Sequence, residues 1–298
     1  MNETIQKLQQ GDMRVLARCI SMVENETAGY DNFLQQLSFN KHIPITGITG
    51  PPGAGKSTLI NALAKKLTEQ DKKVAIVAID PSSPFNHGSI MGDRLRMSEH
   101  FLHPNVFIRS MATRGSLGGL APKIFEVCDV FRAAYFDHII IETVGVGQSE
   151  VEIAALADTT VLVLVPEAGD EIQTMKSGVM EIADVYVVNK SDREGADAFY
   201  NNLFMVAHTN IRNGWEAPVV KTVASKNEGI EELMAAIDKH IHSSQNGDKK
   251  IQILAEKAMM MIRNQRTKEL SLNQIANELR EIISEDDFNI YRYIKKYC

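Results

Sequence analysis

A glycine-rich loop at residues 50–57 constrains this chain more than any other feature, because it joins a predicted strand to a predicted helix. Its sequence, Gly50-Pro-Pro-Gly-Ala-Gly-Lys-Ser57, matches G-x-x-x-x-G-K-[ST] at every required position. The β-rich run Ile43–Thr49 precedes it, and Ser57–Glu69 has helical periodicity. An accidental glycine-rich turn would need neither flanking element, so the loop predicts a phosphate-binding site for a nucleoside triphosphate.

The residue types in this loop suit phosphate binding. Glycine allows successive backbone N–H groups to point inward and form an anion nest at a helix N-terminus. Lys56 is expected to reach the β- and γ-phosphates, and the hydroxyl oxygen of Ser57 is expected to bind Mg²⁺. The predicted nucleotide contacts in the loop are Gly53, Ala54, Gly55, Lys56, Ser57 and Thr58.

Apolar strand candidates alternate with helical stretches over the next 170 or so residues. Continuous apolar strands separated by helices indicate a parallel sheet that is covered on both faces. The predicted fold is therefore α/β, a doubly wound, mostly parallel sheet whose ligands bind at the carboxyl ends of the strands. The predicted strands are Val74–Ile79, Val106–Ile108, His138–Ile141, Thr160–Val165, Val185–Val188 and Val219–Val223, and the predicted helices include Leu120–Tyr135 and Gly229–His240.

Three regions are expected along the chain. An N-terminal helical extension covers 1–41, with Asp12 as the N-cap of one helix. The phosphate-loop domain covers 42–242 and ends at a polar, turn-rich stretch that starts at His242. A C-terminal helical arm covers 243–298, where Ser271 is placed to cap a helix.

Composition narrows the setting in which the protein works. The net charge of −6 argues against a general nucleic-acid-binding surface, because phosphate neutralisation needs clustered Lys and Arg. The three cysteines lie far apart, without a C-x-x-C pair, which is typical of a reducing compartment. Neither a secretory leader nor an apolar run long enough to cross a membrane is visible. A cytoplasmic protein is the expectation.

A second motif identifies the base. Asn189-Lys190-Ser191-Asp192 stands at the end of an apolar strand, about 130 residues after the phosphate loop. The Asp192 carboxylate is expected to accept hydrogen bonds from N1–H and the 2-amino group of guanine, a donor pair that adenine lacks. Ala224-Ser225-Lys226, after the last strand, matches the short loop whose backbone N–H groups meet the guanine oxygen. GTP and GDP are the predicted ligands.

Acidic residues at strand ends predict the magnesium side of the site. Asp80 and Glu142 each follow a buried strand, so both are expected beside the phosphate loop. Gly145, in Glu142-x-x-Gly145, occupies the place of a glycine whose N–H senses the γ-phosphate. Asp93 lies in a glycine-rich loop, and by spacing alone a surface carboxylate is as good an interpretation as a metal ligand. No glutamine directly follows Gly145, so a water positioned by carboxylates and Mg²⁺ replaces the usual switch glutamine.

These residues together resemble the GTPases that chaperone methylmalonyl-CoA mutase, the MeaB/ArgK/MMAA type. The resemblance covers most of 12–240, and its most specific parts are Asp-Pro-Ser-Ser-Pro from Asp80 and Glu-Thr-Val-Gly-Val-Gly-Gln-Ser from Glu142. It implies a GTPase that gates cofactor loading of an adenosylcobalamin-dependent acyl-CoA mutase and protects or reactivates that enzyme. An adenosyltransferase is a further candidate partner.

The resemblance also implies residue roles. Mg²⁺ and catalytic roles fall on Lys56, Ser57, Asp80, Asp93 and Glu142, and guanine recognition falls on Asn189, Lys190 and Asp192. A mobile third switch maps onto Glu167–Lys176, although an ordinary strand-to-helix connection would have the same placement. Family members are homodimers held largely by C-terminal helices. The apolar stripe of the arm suits that purpose, and it could equally pack on its own domain; it consists of Ile251, Leu254, Ala258 and Ile262.

Two other classes compete with this interpretation. The first is a metallochaperone GTPase that delivers nickel or zinc, for which eight scattered histidines and no cysteine cluster are a poor set of ligands. The second is an ATP-dependent kinase linked to amino-acid transport, which the N-K-x-D motif opposes.

Overall fold

The structure is a computed structural model of the 298-residue chain. It describes residues 2–39, 42–80, 103–113, 121–143, 149–168, 177–209, 211 and 214–243, and, in the C-terminal part, 251, 255, 258–259, 261–263, 265–267, 269–283 and 288–297. Within these parts of the chain, every helix is too short or too polar to cross a lipid bilayer. Chain contacts divide the protein into two compact units, Met1–Asn246 and Gly247–Cys298.

The first unit is a seven-stranded sheet with helices on both faces. Its strands are β1 (Ile45–Thr49), β2 (Val74–Asp80), β3 (Val106–Ala112), β4 (His138–Glu142), β5 (Thr159–Leu164), β6 (Val185–Asn189) and β7 (Val219–Thr222). Its helices are α1 (Asn2–Gln9), α2 (Met13–Glu24), α3 (Tyr30–Gln35), α4 (Lys56–Glu69), α5 (Ile124–Ala133), α6 (Ser149–Leu156), α7 (Ser177–Ile182), α8 (Ala196–Thr209) and α9 (Ile230–Ser243).

All strand pairs are parallel, in the order β3-β2-β4-β1-β5-β6-β7. The chain moves from β1 outward to one side of the sheet and, after β4, to the other side. β1 therefore lies at the point where the strand order reverses, and its carboxyl end opens into the crevice where doubly wound sheets bind ligands. The predicted fold class is confirmed.

Alternate side chains of the strands pack against different helices, as expected for a sheet buried on both faces. On β5, Val161 and Val163 join the apolar cluster of α4 and α9, whereas Leu162 and Leu164 join that of α8. The N-terminal helices contribute to a third cluster, together with α5 and the other face of β2 and β4. The N-terminal extension is therefore part of the core of the first unit.

Local signals account for several element boundaries. Asp12 caps α2 by accepting hydrogen bonds from the N–H groups of Arg14 and Val15, which confirms the prediction. β3 extends to Ala112, beyond the predicted Val106–Ile108. The prediction stopped early because the second half of the strand carries polar residues that interrupt the apolar run. One of them, Arg109, forms an ion pair with Glu24 of α2, so the strand continues next to β2 without an apolar sequence.

The second unit contains α10 (Leu272–Ile282) and α11 (Ile290–Ile294). Ser271 caps α10 through the N–H of Gln274, as predicted. Glu278 of α10 accepts hydrogen bonds from the hydroxyl groups of Tyr293 and Tyr297 at 2.9 and 2.6 Å, and also from Lys296. The Lys296 and tyrosine donors lower the pKa of the Glu278 carboxyl to about 2. These polar contacts join α10 to α11 and to the residues that follow it.

A buried histidine near the amino end of the sheet makes folding sensitive to pH. The side chain of His138 is buried in β4, and its Nε2 lies 2.8 Å from the hydroxyl of Thr46 on β1. Burial lowers the pKa of His138 to about 4, and the nearby Asp158 and Asp137 carboxylates offset only part of this effect. Between the unfolded pKa of about 6.5 and the folded pKa, the unfolded chain binds more protons. Folding is therefore weakened by this residue as the pH falls through that window.

We predict that lowering the pH from 7.5 to 5 removes about 2 kcal/mol more stability from the wild type than from His138→Gln. Glutamine keeps a neutral hydrogen-bonding group beside Thr46 but cannot titrate. The measurement is the free energy of urea unfolding of both proteins at the two pH values. Equal pH slopes would show that His138 is not the group responsible.

Candidate nucleotide-binding site

The phosphate loop follows β1 and has a backbone that only glycine tolerates. Gly50, Gly53 and Gly55 have φ values of +140°, +78° and +89°. Two of them also lack room for a side chain. A Cβ on Gly50 would lie 2.1 Å from the carbonyl oxygen of Val163, and one on Gly55 would lie 2.4 Å from Nδ2 of Asn189. The loop is thus held directly against β5 and the end of β6.

The loop leads into α4, which begins at Lys56. The side chain of Lys56 is buried, and its ammonium group donates to the carbonyl oxygens of Gly50 and Pro51 at 2.7 and 3.1 Å. Ser57 is also buried, whereas Thr58 points to the surface. The positive end of the α4 dipole and the Lys56 ammonium both lie at this loop, which favours an anion.

A buried set of oxygen ligands lies beside the loop. The hydroxyl of Ser57 donates to Oε1 of Glu142, at the end of β4, at 2.8 Å. Asp80, at the end of β2, is only 2% exposed, and Ser57 and Glu142 are each 7% exposed. Hydroxyl and carboxylate oxygens are hard ligands, so this set fits a Mg²⁺ ion. Among the described residues there is no cluster of three or more His, Cys, Asp or Glu side chains of metal-binding geometry.

Part of the predicted magnesium site and most of the predicted third switch are not described by the structure. Asp93 and Gly145 lie outside the described residues. The same holds for 169–176 of the predicted third switch, although its first residue, Glu167, is described in a 3₁₀ turn that follows β5.

Asn189 is the centre of the base side of the site. Its Nδ2 donates to the carbonyl oxygen of Ala54 in the phosphate loop at 2.8 Å. Its Oδ1 accepts from the hydroxyl of Thr222 at 3.1 Å and from the N–H of Ala224 at 3.2 Å. One buried amide therefore connects the phosphate loop, the end of β7 and the 3₁₀ turn Ala224–Lys226.

Two further side chains of the predicted base motif make contacts of their own. The ammonium of Lys190 donates to the carbonyl oxygen of Gly53 at 2.8 Å, which ties the base turn to the phosphate loop. Oδ2 of Asp192 accepts from Lys226 at 2.9 Å. That hydrogen bond lowers the pKa of the exposed Asp192 carboxyl and raises the pKa of Lys226. Asp192 is thereby kept ionised, and an ionised carboxylate can only accept hydrogen bonds.

The structure brings the described site residues together at one edge of the sheet, and it adds one. Thr222 was not among the residues predicted to bind nucleotide. Thr222 closes β7 and is the register partner of Asn189, so only strand pairing places its hydroxyl at that amide. Lys226 belongs to the predicted loop after the last strand, but its hydrogen bond to Asp192 was not predicted.

Known proteins resemble this chain over nearly all of its length. The family model described as methylmalonyl Co-A mutase-associated GTPase MeaB matches residues 16–279. A putative GTPase of Pyrococcus horikoshii is 42% identical over 96% of this chain and 90% of its own length. GTPase ArgK of Escherichia coli is 33% identical over 97% of this chain and 88% of its own length. The mouse mitochondrial methylmalonic aciduria type A homolog is 39% identical over 65% of this chain and 49% of its own length.

Solved structures support the fold. A crystal structure of a LAO/AO transport system kinase matches with a TM-score of 0.69 at 24% identity, covering 99% of this chain and 95% of that one. Nickel-bound HypB from Helicobacter pylori matches with a TM-score of 0.50 at 17% identity, covering 75% of this chain and 95% of that one.

We predict that Asn189→Ala lowers the free energy of unfolding by about 2–4 kcal/mol, because it leaves buried donors and acceptors in three segments without their shared partner. Chemical denaturation measures the effect. Asn202→Ala, on an exposed position of α8, is the matched control and should change stability by less than about 0.5 kcal/mol. A loss for Asn189→Ala as small as that of the control would show that the amide is not a structural centre.

Proposed function

Because this chain belongs to the family of methylmalonyl-CoA mutase-associated GTPases, we propose that it is a GTP-hydrolysing chaperone of an adenosylcobalamin-dependent acyl-CoA mutase. In this role it gates cofactor loading and protects or reactivates the mutase, in the cytoplasm. The observation that supports a guanine-nucleotide switch best is the Asn189 amide, which joins the phosphate loop to the turn that carries Asp192.

Phosphate binding is assigned to the loop and to the start of α4. The backbone N–H groups of Gly53, Ala54 and Gly55, with those of the first turn of α4, face the phosphates in this proposal. The Lys56 ammonium lies inside the loop, where it neutralises the charge of the β- and γ-phosphates. Thr58 contributes its backbone, because its side chain points to the surface.

The ligands proposed for Mg²⁺ are the hydroxyl of Ser57 and the carboxylates of Asp80, Glu142 and Asp93. The first three are described and fit a hard cation, while Asp93 is proposed from sequence alone. A bound Mg²⁺ would neutralise phosphate charge and help to polarise the γ-phosphate. Glu142 and Asp80, at neighbouring strand ends, are the described carboxylates that could orient a water for attack on that phosphate.

Base recognition is assigned to the turn after β6 and the turn after β7. The Asp192 carboxylate accepts from N1–H and the 2-amino group of guanine, while Lys190 packs along the base. The N–H groups of Ala224 and Ser225 meet the guanine oxygen.

Hydrolysis is slow in this proposal. The switch glutamine that speeds hydrolysis in other GTPases is missing, because no glutamine directly follows Gly145. Slow turnover serves as a timer for the chaperone cycle.

The C-terminal arm is proposed to hold a homodimer together. Among the described residues of the second unit, Tyr293 is the one buried apolar side chain. Large apolar side chains on α10, on α11 and beside them are exposed, namely Leu272, Ile283, Ile290, Tyr291 and Ile294. Exposed apolar surface of this extent marks an interaction site, and a second copy of the arm is the occupant that the family resemblance favours.

With Mg²⁺ present, we predict that the wild type binds GDP and GTP at least tenfold more tightly than ATP. The cause is the Asp192 carboxylate, which adenine leaves without a donor pair. In Asp192→Asn this preference should shrink to less than about threefold, because the amide can also donate. Isothermal titration calorimetry measures all the affinities. Equal binding of GDP and ATP by the wild type would contradict the assignment of the base.

We predict that the tagged protein, loaded with a non-hydrolysable GTP analogue, retains a B12-dependent acyl-CoA mutase from an extract of its own host. Retention should differ between the analogue and GDP, because a switch protein binds its client in one nucleotide state. Mass spectrometry of the eluate identifies the partner, and Lys56→Ala is the control. Recovery of a nickel or zinc enzyme instead, with micromolar binding of that metal, would favour the metallochaperone alternative.

A further inference from the structure

The turn that carries Asp192 is strained. Lys190 has a φ of +55°, in the left-handed region that residues with a side chain seldom adopt. Such a conformation persists only where the surroundings hold it in place, and it is common at binding sites. The contacts that hold this turn therefore decide where the Asp192 carboxylate lies.

Contacts on one side of the turn belong to the site described above. Lys190 donates to the phosphate loop, Lys226 donates to Asp192, and the N–H of Ser191 donates to the carbonyl oxygen of Thr222 at 3.1 Å. All of these lead towards α4 or β7. The opposite side of the turn faces the loop after β5, and a different pair of residues makes the contact there.

That pair is Arg193 and Glu167. The guanidinium of Arg193 donates to Oε1 of Glu167, and both side chains are about half exposed, at 50% and 51%. Arg193 directly follows Asp192, and its N–H donates to the carbonyl oxygen of Lys190 at 3.0 Å, so it is part of the strained turn. Glu167 lies in the 3₁₀ turn after β5, and β5 is the strand next to β6. The ion pair thus connects the base turn to the neighbouring loop at the same edge of the sheet.

We propose that Arg193 and Glu167 are positioning residues for guanine recognition, and that their ion pair holds the turn so that the Asp192 carboxylate faces the base. The proposal rests on the proposed function, since it concerns the same base site. Neither residue touches the base; they act through the backbone between Lys190 and Arg193. Through this ion pair, the loop after β5 contributes to the preference of the protein for guanine.

The effect is modest in size, because exposed ion pairs contribute little and are screened by salt. Arg193→Ala should raise the Kd for GDP by about two- to fivefold, mainly through faster release. Glu167→Gln should do the same, and the double variant should be no worse than either single one, because both remove one interaction. Arg193→Lys, which keeps a cation within reach of Glu167, should restore most of the affinity.

The test compares GDP with IDP, which lacks the 2-amino group that Asp192 accepts from. If the pair positions Asp192, Arg193→Ala weakens GDP binding more than IDP binding, so the ratio of the two affinities falls. General loosening of the protein would lower both affinities alike. The GDP penalty should also shrink in 0.5 M NaCl, by screening. Calorimetry gives the affinities, and a fluorescent GDP analogue gives the release rates.

A matched control is the ion pair of Lys66 on α4 with Glu231 on α9, whose Nζ and Oε1 atoms are 2.8 Å apart. Lys66→Ala and Glu231→Gln should leave the GDP/IDP ratio unchanged. If the wild type binds GDP but Arg193→Ala leaves the GDP/IDP affinity ratio unaltered, the positioning role alone is overturned. A wild type that binds no guanine nucleotide would overturn the proposed function, and the positioning role with it.

Discussion

The site depends on one buried amide. Asn189 ends β6, yet its side chain reaches the phosphate loop through Ala54 and the turn after β7 through Ala224 and Thr222. In a buried setting each of these groups would lose a hydrogen bond without the amide. The amide therefore fixes the distance between the part of the site suited to phosphate and the part suited to a base. A nucleotide of fixed length needs that distance to be constant.

The amide can do this because of where the sheet reverses its strand order. β1 has β4 on one side and β5 on the other, so loops from both halves of the sheet meet at its carboxyl end. Close approach of these loops requires Gly50 and Gly55, whose missing Cβ atoms leave room for Val163 and Asn189. The described carboxylates proposed for Mg²⁺ come from the β2 and β4 side, and the base-side groups from the β6 and β7 side.

Much of this was predictable from sequence. The phosphate loop, the parallel sheet and most strand positions follow from local motifs and from apolar runs, which are properties of neighbouring residues. The structure confirms the parallel sheet and the strand positions, and outside β3 no strand end differs from the predicted one by more than two residues. The full length of β3 was not predictable, because Arg109 and Ser110 interrupt its apolar run, and the ion pair of Arg109 with Glu24 of α2 is visible only in the structure. From sequence alone, a polar residue in an apolar run predicts the end of a strand, because its partner in another part of the chain is not known.

By itself, then, the sequence determined the fold class, the family and the residue types of the site, since each depends on short-range patterns that need no partner. Only the tertiary structure decided that Thr222 shares an amide with Asn189, that Lys226 pairs with Asp192, and that Arg193 pairs with Glu167. These pairs join residues 26 to 34 positions apart. They form because parallel pairing brings the ends of β5, β6 and β7 to one edge, and no motif within a single segment carries that information.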